Sequence, residues 1–209
     1  MVVESMLSVY KQAEGIRPAD QADFAFYALI TLSAIRHHHH TEEENYLPLL
    51  EPEFKAPIQE EHHLFTDVLH KLEGYLQEVT GIYPDAFKGP IPIKNAKHPL
   101  LSDPMLTHLE HEIGYLDAAK LRECGLPLSK LEAWETWELS MIKNLNPWVS
   151  LVFTVAHTPS NSYFPPLPPG MRSVLVPWIF WWKYRKSWRF CPQQEPLDIP
   201  KSRFTLPFM

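Results

Sequence analysis

Residues 22–47, ADFAFYALITLSAIRHHHHTEEENYL, contain neither proline nor glycine, and the fold is read from this stretch. With nothing in it to break a helix, the run predicts one long helix that begins after Pro18 and Asp20 and is ended by Pro48 and Pro52. Near its C-terminal end stand His37, His38, His39 and His40, then Thr41, then Glu42, Glu43 and Glu44. Set inside a helix rather than at a terminus, this run puts imidazole and carboxylate on adjacent turns. That is the donor chemistry of a metal site.

Other helices are expected on either side. Met6, Leu7 and Tyr10 lie at helical spacing in a short helix over Val3–Glu14, with Gly15 as its stop. From Ile58 to Val79, the residues Ile58, His62, Phe65, Leu69, Leu72, Leu76 and Val79 alternate steps of four and three, so His62 falls on an apolar stripe. Gly81, Pro84, Gly89, Pro90, Pro92 and Pro99 mark 80–99 as a loop. A fourth helix is expected over Leu101–Arg122, with Leu101, Met105, His108, Glu112, Tyr115 and Ala119 on one stripe. A fifth opens with Ser129-Lys-Leu-Glu132, a capping-box pattern, and runs toward Asn146-Pro147. Strand signals are weak throughout, so the fold class is all-α. Prolines then crowd the chain from Pro147 on, which divides it into a helical bundle over 1–146 and an irregular, Pro- and Trp-rich C-terminal extension over 147–209 packed on that bundle.

Composition narrows the function. A 209-residue chain that is 45% hydrophobic supports one main core. Its net charge of −6 and pI near 6.0 argue against binding nucleic acid. Cys124 and Cys191 form no CxxC pair, which indicates neither a cysteine zinc site nor a disulfide framework, and a reducing, cytoplasmic location is expected. The start of the chain has no basic and apolar leader pattern. The longest apolar stretch, Val174–Trp182, is too short to cross a bilayer and is interrupted by Pro177. No GxSxG elbow and no glycine-rich phosphate loop occur, so neither nucleophilic catalysis nor nucleotide binding is indicated.

The candidate site comes from three helices. His38 and Glu42 are four residues apart and project together, while His39 also lies within a turn of Glu42 and Glu43; the choice between the two histidines stays open. His62 adds an imidazole from the third helix, and His108 with Glu112 adds an i,i+4 pair from the fourth. Buried unpaired, such groups would cost several kcal/mol, and a bound cation removes that cost. Mixed nitrogen and oxygen donors suit iron first, then manganese or zinc, and carboxylates that bridge would allow two ions about 3.5 Å apart. His37 and His40 are expected to be solvated, Glu43 and Glu44 to be partly surface charge, and Glu60 and Glu61 to serve the helix macrodipole.

At these residues the chain resembles the hemerythrin-like, or HHE cation-binding, family, and in particular its fungal branch with an HHHH-EEE helix. The resemblance takes in Ser8-Val-Tyr-Lys-Gln-Ala13, His38 with Glu42 and Tyr46-Leu-Pro48, Glu61-His62 with Phe65, His108-Leu-Glu-His-Glu112-Ile113, and the tail motif Trp188-Arg-Phe-Cys-Pro192. It implies an up-down four-helix bundle around a non-haem di-iron site that binds oxygen or a related small molecule, or senses or stores iron. His38, His62 and His108 would be terminal ligands, and Glu42 and Glu112 bridging ones. Two departures stand out: the family's first-helix histidine would fall at or before Met1 and is absent, and Thr66 replaces the second histidine of the third helix. Water, or nearby groups such as His63, His70 or His111, would then fill the vacancies, and the site would hold a single metal or a labile pair. Binding without turnover is the expected role. A di-iron oxidase or peroxidase, and a metal-free scaffold, are the competing ones. The tail from Trp178 to Phe190, where tryptophans interleave with Lys183, Arg185, Lys186 and Arg189, reads as packing across the bundle in preference to a membrane-surface or partner patch.

Overall fold

Gly15 closes the first helix as expected, its N–H bonding to the Gln12 carbonyl at 3.1 Å just beyond α1 (Val2–Ala13). The computed structural model describes residues 2–50, 58–81, 102–144, 146–158 and 166–192. Every element among them is helical, and none is a strand, in agreement with the all-α reading. No helix among the described residues is long and apolar enough to cross a membrane.

A 3-10 turn, Pro18–Asp20, leads into α2 (Gln21–Thr41), whose residues from Ala25 to Ser33 are buried on every side. A helix buried all round needs apolar or small residues all round, and the run of Ala, Phe, Tyr, Leu and Ile supplies them. Where the histidines give way to glutamates the helix widens into a π turn, Glu42–Tyr46, and then resumes as α3 (Leu47–Leu50). Pro48 therefore lies inside the rod and does not end it, contrary to expectation. The Leu47 N–H bonds back to the Glu42 carbonyl, five residues away. This shifts the carbonyl ladder by one residue just before Pro48 and relieves the clash a proline ring makes with the carbonyl four residues back.

The stripe over 58–79 forms α4 (Ile58–Thr80), with His62, Phe65 and Leu69 buried and Val79 exposed. The loop expected over 80–99 lies, from residue 82 on, outside the described residues. The expected fourth helix is two helices, α5 (Ser102–Tyr115) and α6 (Ala118–Glu123). Asp117 breaks it: with extended backbone, its carboxylate caps the second helix by accepting from the Ala119 and Lys120 N–H groups at 2.9 and 3.3 Å. Ala119 is consequently exposed instead of lying on the stripe. The helix α7 (Leu128–Lys143) starts one residue before Ser129, so that serine sits in its first turn and is not its cap.

The C-terminal region is more helical than its prolines suggest. Asn146 accepts from the Trp148 N–H at 3.0 Å and caps a π turn, Pro147–Leu151, that runs into α8 (Val152–His157). Pro147 fits because a first-turn residue has no intrahelical N–H bond to lose. A second series follows: a π turn Met171–Leu175, α9 (Val176–Trp178), a 3-10 turn Phe180–Tyr184 and α10 (Arg185–Trp188).

These elements group into two compact units, one made of residues 1–30 with 144–209 and the other of 31–143. In the first, α1 packs against α8, and the Ser8 hydroxyl and Gln12 amide both donate to the Phe190 carbonyl. Trp188 is buried among Phe26, Tyr184 and Trp181, while Tyr27 stacks on His157. In the second, α4 lies along α5, and Glu73 of α4, nearly fully buried, accepts from Ser33 at 2.8 Å and Arg36 at 2.9 Å. That pairing fixes the face that α4 turns to the histidine end of α2.

Candidate metal centre

Within the second unit, three buried histidine rings from three helices meet. His39 on α2, His62 on α4 and His108 on α5 have ring centroids 4.6 to 5.2 Å apart. His62 is fully buried, and His39, His108 and Glu42 are each at most 6% exposed. The Phe65 ring covers one side, 4.9 Å from His39 and 5.3 Å from His108.

Carboxylates behind two of the rings set their orientation. Nδ1 of His62 lies 2.8 Å from Glu43, and Nδ1 of His108 lies 3.2 Å from Glu61. A carboxylate only accepts, so each Nδ1 carries the proton and each Nε2 keeps a lone pair. Those lone pairs face inward: Nε2 of His62 is 3.6 Å from Glu42, and Nε2 of His108 is 3.9 Å from Glu112. Both separations exceed hydrogen-bond reach. The buried atoms His62 Nε2, His108 Nε2, Glu42 Oε2 and both ring nitrogens of His39 have no hydrogen-bond partner. Polar atoms left so in a protein interior are costly, and their concentration at one point needs an explanation.

A metal ion supplies one. One ligand atom from each of His39, Glu42, His62 and His108 lies within 4.8 Å of the others, and the same holds for His38, Glu42 and Glu112. Bonds of about 2.1 Å place neighbouring donors roughly 3–4 Å apart around an ion, so a small contraction closes either group. Glu42 belongs to both groups. It stands at the start of the π turn, a wide turn of a kind that recurs at functional sites.

The electrostatics agree. Burial, with Glu112 nearby adding to it, pushes the Glu42 carboxyl up to about 9. Burial, reinforced by His38, His62 and His108, holds His39 down at about 2. Burial also lowers His62 despite its bond to Glu43, and lowers His38 despite the charge of Glu112. The 3.2 Å contact between His38 and Glu42 has ion-pair length, but burial drives both groups toward their neutral forms. The cluster thus offers imidazoles held toward their neutral form at His38, His39 and His62, and a carboxyl at Glu42 held toward its own. Glu61 behaves differently: burial opposes its ionisation, but hydrogen bonds from His111 and His108 outweigh that and lower it.

All of the sequence-derived candidates, His38, Glu42, His62, His108 and Glu112, fall in these two groups. The histidine left open is His39 in the buried group, while His38, 36% exposed, faces Glu42 and Glu112 in the other. His37, His40 and His63 are exposed, and His111 donates to Glu61 at 2.8 Å from a half-exposed position. The hydroxyl of Thr66 donates to the His62 carbonyl one turn back. Sequence reasoning missed Glu43 and Glu61, which it assigned to surface charge and the macrodipole. Their signal was position: each is adjacent in sequence to a ligand candidate, Glu42 or His62. It quoted Tyr46 without giving it a role; its ring packs on Trp134 at 4.6 Å, and its hydroxyl is raised by burial and by the charges of Glu112 and Glu42.

No protein-family model matches the chain, and no curated protein or solved structure matches it at significant similarity.

Proposed function

We propose that the chain is a hemerythrin-like non-haem iron protein, an up-down four-helix bundle that binds oxygen or a related small molecule, or that senses or stores iron, without turning over an organic substrate. One observation carries this reading: inward-facing, unpartnered nitrogen and oxygen donors from three helices, two of them oriented from behind by carboxylates. Carboxylate-backed histidines are the usual outer support of metal ligands, since the bond fixes tautomer and ring angle together. In this reading His39, His62 and His108 with Glu42 would hold one ion, His38, Glu42 and Glu112 would hold a second, and the extra imidazole of His39 would offset the histidine that Thr66 replaces.

The balance of imidazole and carboxylate favours iron over manganese or zinc. Iron bound by these residues would supply redox chemistry toward a small molecule such as oxygen. The chain's residues supply the rest: Phe65 covers one side, Glu43 and Glu61 hold the ring protons away from the donors, and Glu42 and Glu112 would balance the charge of a bound cation. Cys124 and Cys191 are both free thiols, which fits a cytoplasmic location.

Metal analysis of freshly purified protein tests the reading. One to two iron atoms per chain, with a fall in thermal stability on chelation, are expected. Metal-free protein whose melting is indifferent to iron and to chelators would leave the scaffold reading in its place.

A further inference from the structure

Independent of the metal centre, the C-terminal half of the first unit carries a surface that the proposed function does not use. Val174 stands in the π turn, Trp178 at the end of α9 and Trp182 in the 3-10 turn that follows, with Ile179 beside Trp178. They are 51%, 40% and 55% exposed, and Ile179 is 45% exposed. The opposite side of the same segment is anchored: Val176, Ser187 and Trp188 are buried, and Tyr184 stacks on Phe26 at 4.7 Å. The apolar ridge is therefore held outward by packing on its other side.

Cations flank it. Lys183, Arg185 and Lys186 are exposed, the Arg185 guanidinium sits 4.5 Å over the Trp182 ring, and Lys183 lies over Tyr184 and Trp148. Arg189 is engaged differently, paired with Asp20 at 2.7 Å. Residues 139–194 hold no aspartate or glutamate, although the chain has 25 and a net charge of −6. A single-sign basic segment on an acidic protein selects for an anionic partner.

We propose that this ridge docks the protein on a membrane surface bearing anionic lipid headgroups. Tryptophan suits that boundary, since its ring is apolar and its N–H is polar, and short cation-flanked segments with exposed aromatics lie in the interface without spanning it. A protein partner for an apolar ridge would match it with apolar surface and mixed charge. A stretch with cations alone matches a uniformly negative plane. Each basic residue near such a plane strengthens binding by roughly fivefold, and salt weakens the effect.

Vesicle co-sedimentation of the full chain tests this, with phosphatidylcholine alone against phosphatidylcholine containing about 30% phosphatidylserine, at ~0.1 M and ~0.5 M salt. The proposal expects at least about tenfold preference for the anionic vesicles, loss of most binding at high salt, and a blue shift of tryptophan emission on binding. The triple variant Lys183→Glu, Arg185→Glu, Lys186→Glu should abolish binding. Trp178→Ala with Trp182→Ala should weaken it at unchanged circular dichroism, because neither side chain belongs to the core. Equal retention on both vesicle types, no retention on either, or undiminished binding by the charge-reversed variant would overturn the proposal. So would concentration-dependent self-association that the tryptophan variant removes while the vesicles bind nothing, since the ridge would then be a contact between copies of the chain.

Discussion

Glu43 and His62 are joined by a 2.8 Å bond from the ring Nδ1–H to the carboxylate, and this bond decides which nitrogen of His62 faces His39 and Glu42. Without it the ring would be free to turn or to take the other tautomer. Glu43→Ala should therefore lower metal affinity by about 10- to 100-fold, although Glu43 is in neither ligand group. Titration of the metal-free protein with a divalent ion, in competition with a chromophoric chelator, measures it. An affinity equal to that of the parent would show that the bond is surface decoration.

His39 and His38 differ in burial and in the group they serve, so their removal should differ in kind. His39→Ala takes a donor from the buried group and should reduce affinity at least about tenfold for the tighter ion. His38→Ala takes a donor from the half-exposed group and should lower the stoichiometry toward one while leaving the tighter ion in place. Metal content after equilibrium dialysis separates the outcomes. Identical losses from both variants would dissolve the distinction between the groups.

The legible part of this site was whatever helical spacing alone could carry. His62 and Phe65 lie on a stripe that any account of periodicity recovers, and His108 with Glu112 repeats at four residues. In a run of four histidines, spacing cannot choose, because each step turns the helix by about 100° and neighbouring positions both fall near the inward face. The choice of His39 depends on the angle at which α2 meets α4, and there the Ser33 and Arg36 bonds to Glu73 intervene, linking residues 40 and 37 positions apart. The π turn at Glu42 had no signal beyond its composition, and it is also why Pro48 failed as a helix stop. Asp117 was readable as a cap, but an uninterrupted stripe through Tyr115 to Ala119 hid it. The helix over Pro147–His157 was masked by the assumption that proline-rich means irregular, when a proline at the first turn is compatible with helix.

Above pH 4.5 the buried Glu42 carboxyl weighs against the fold unless a cation is present. Its folded value near 9 is raised above the ordinary 4.5 by burial. For a raised carboxyl, its contribution to stability is fully present below pH 4.5 and is lost as pH rises toward 9. Metal-free Glu42→Gln protein, with no charge to form, should melt several degrees above the metal-free parent at pH 8. The same variant should lose both ions, because Glu42 belongs to both groups. Scanning calorimetry with and without metal checks the pair of outcomes, and a variant less stable than the metal-free parent would refute the account of Glu42 as a strained apo-state group.

His157 gives the acid limb of the stability profile. Its Nδ1–H donates to the Phe153 carbonyl at 2.8 Å and its Nε2 accepts from the Tyr27 hydroxyl at 2.9 Å, so the buried ring is neutral and both nitrogens are used. Burial, only partly opposed by the Phe153 bond, depresses it to about 4 from an ordinary 6.5. Between those values the unfolded chain takes up a proton that the folded chain refuses, so stability falls as pH drops from 6.5 toward 4. Each tenfold difference in proton affinity between the folded and unfolded chain is worth about 1.4 kcal/mol, which makes the loss on the order of 3 kcal/mol. Urea unfolding of the metal-free protein at several pH values across that window should show the decline. His157→Gln should be less stable at pH 7, since an amide does not reproduce both bonds, but its dependence on pH should be shallower by about one proton. An unchanged slope would mean that Tyr27 and Phe153 hold the protonated ring as well as the neutral one.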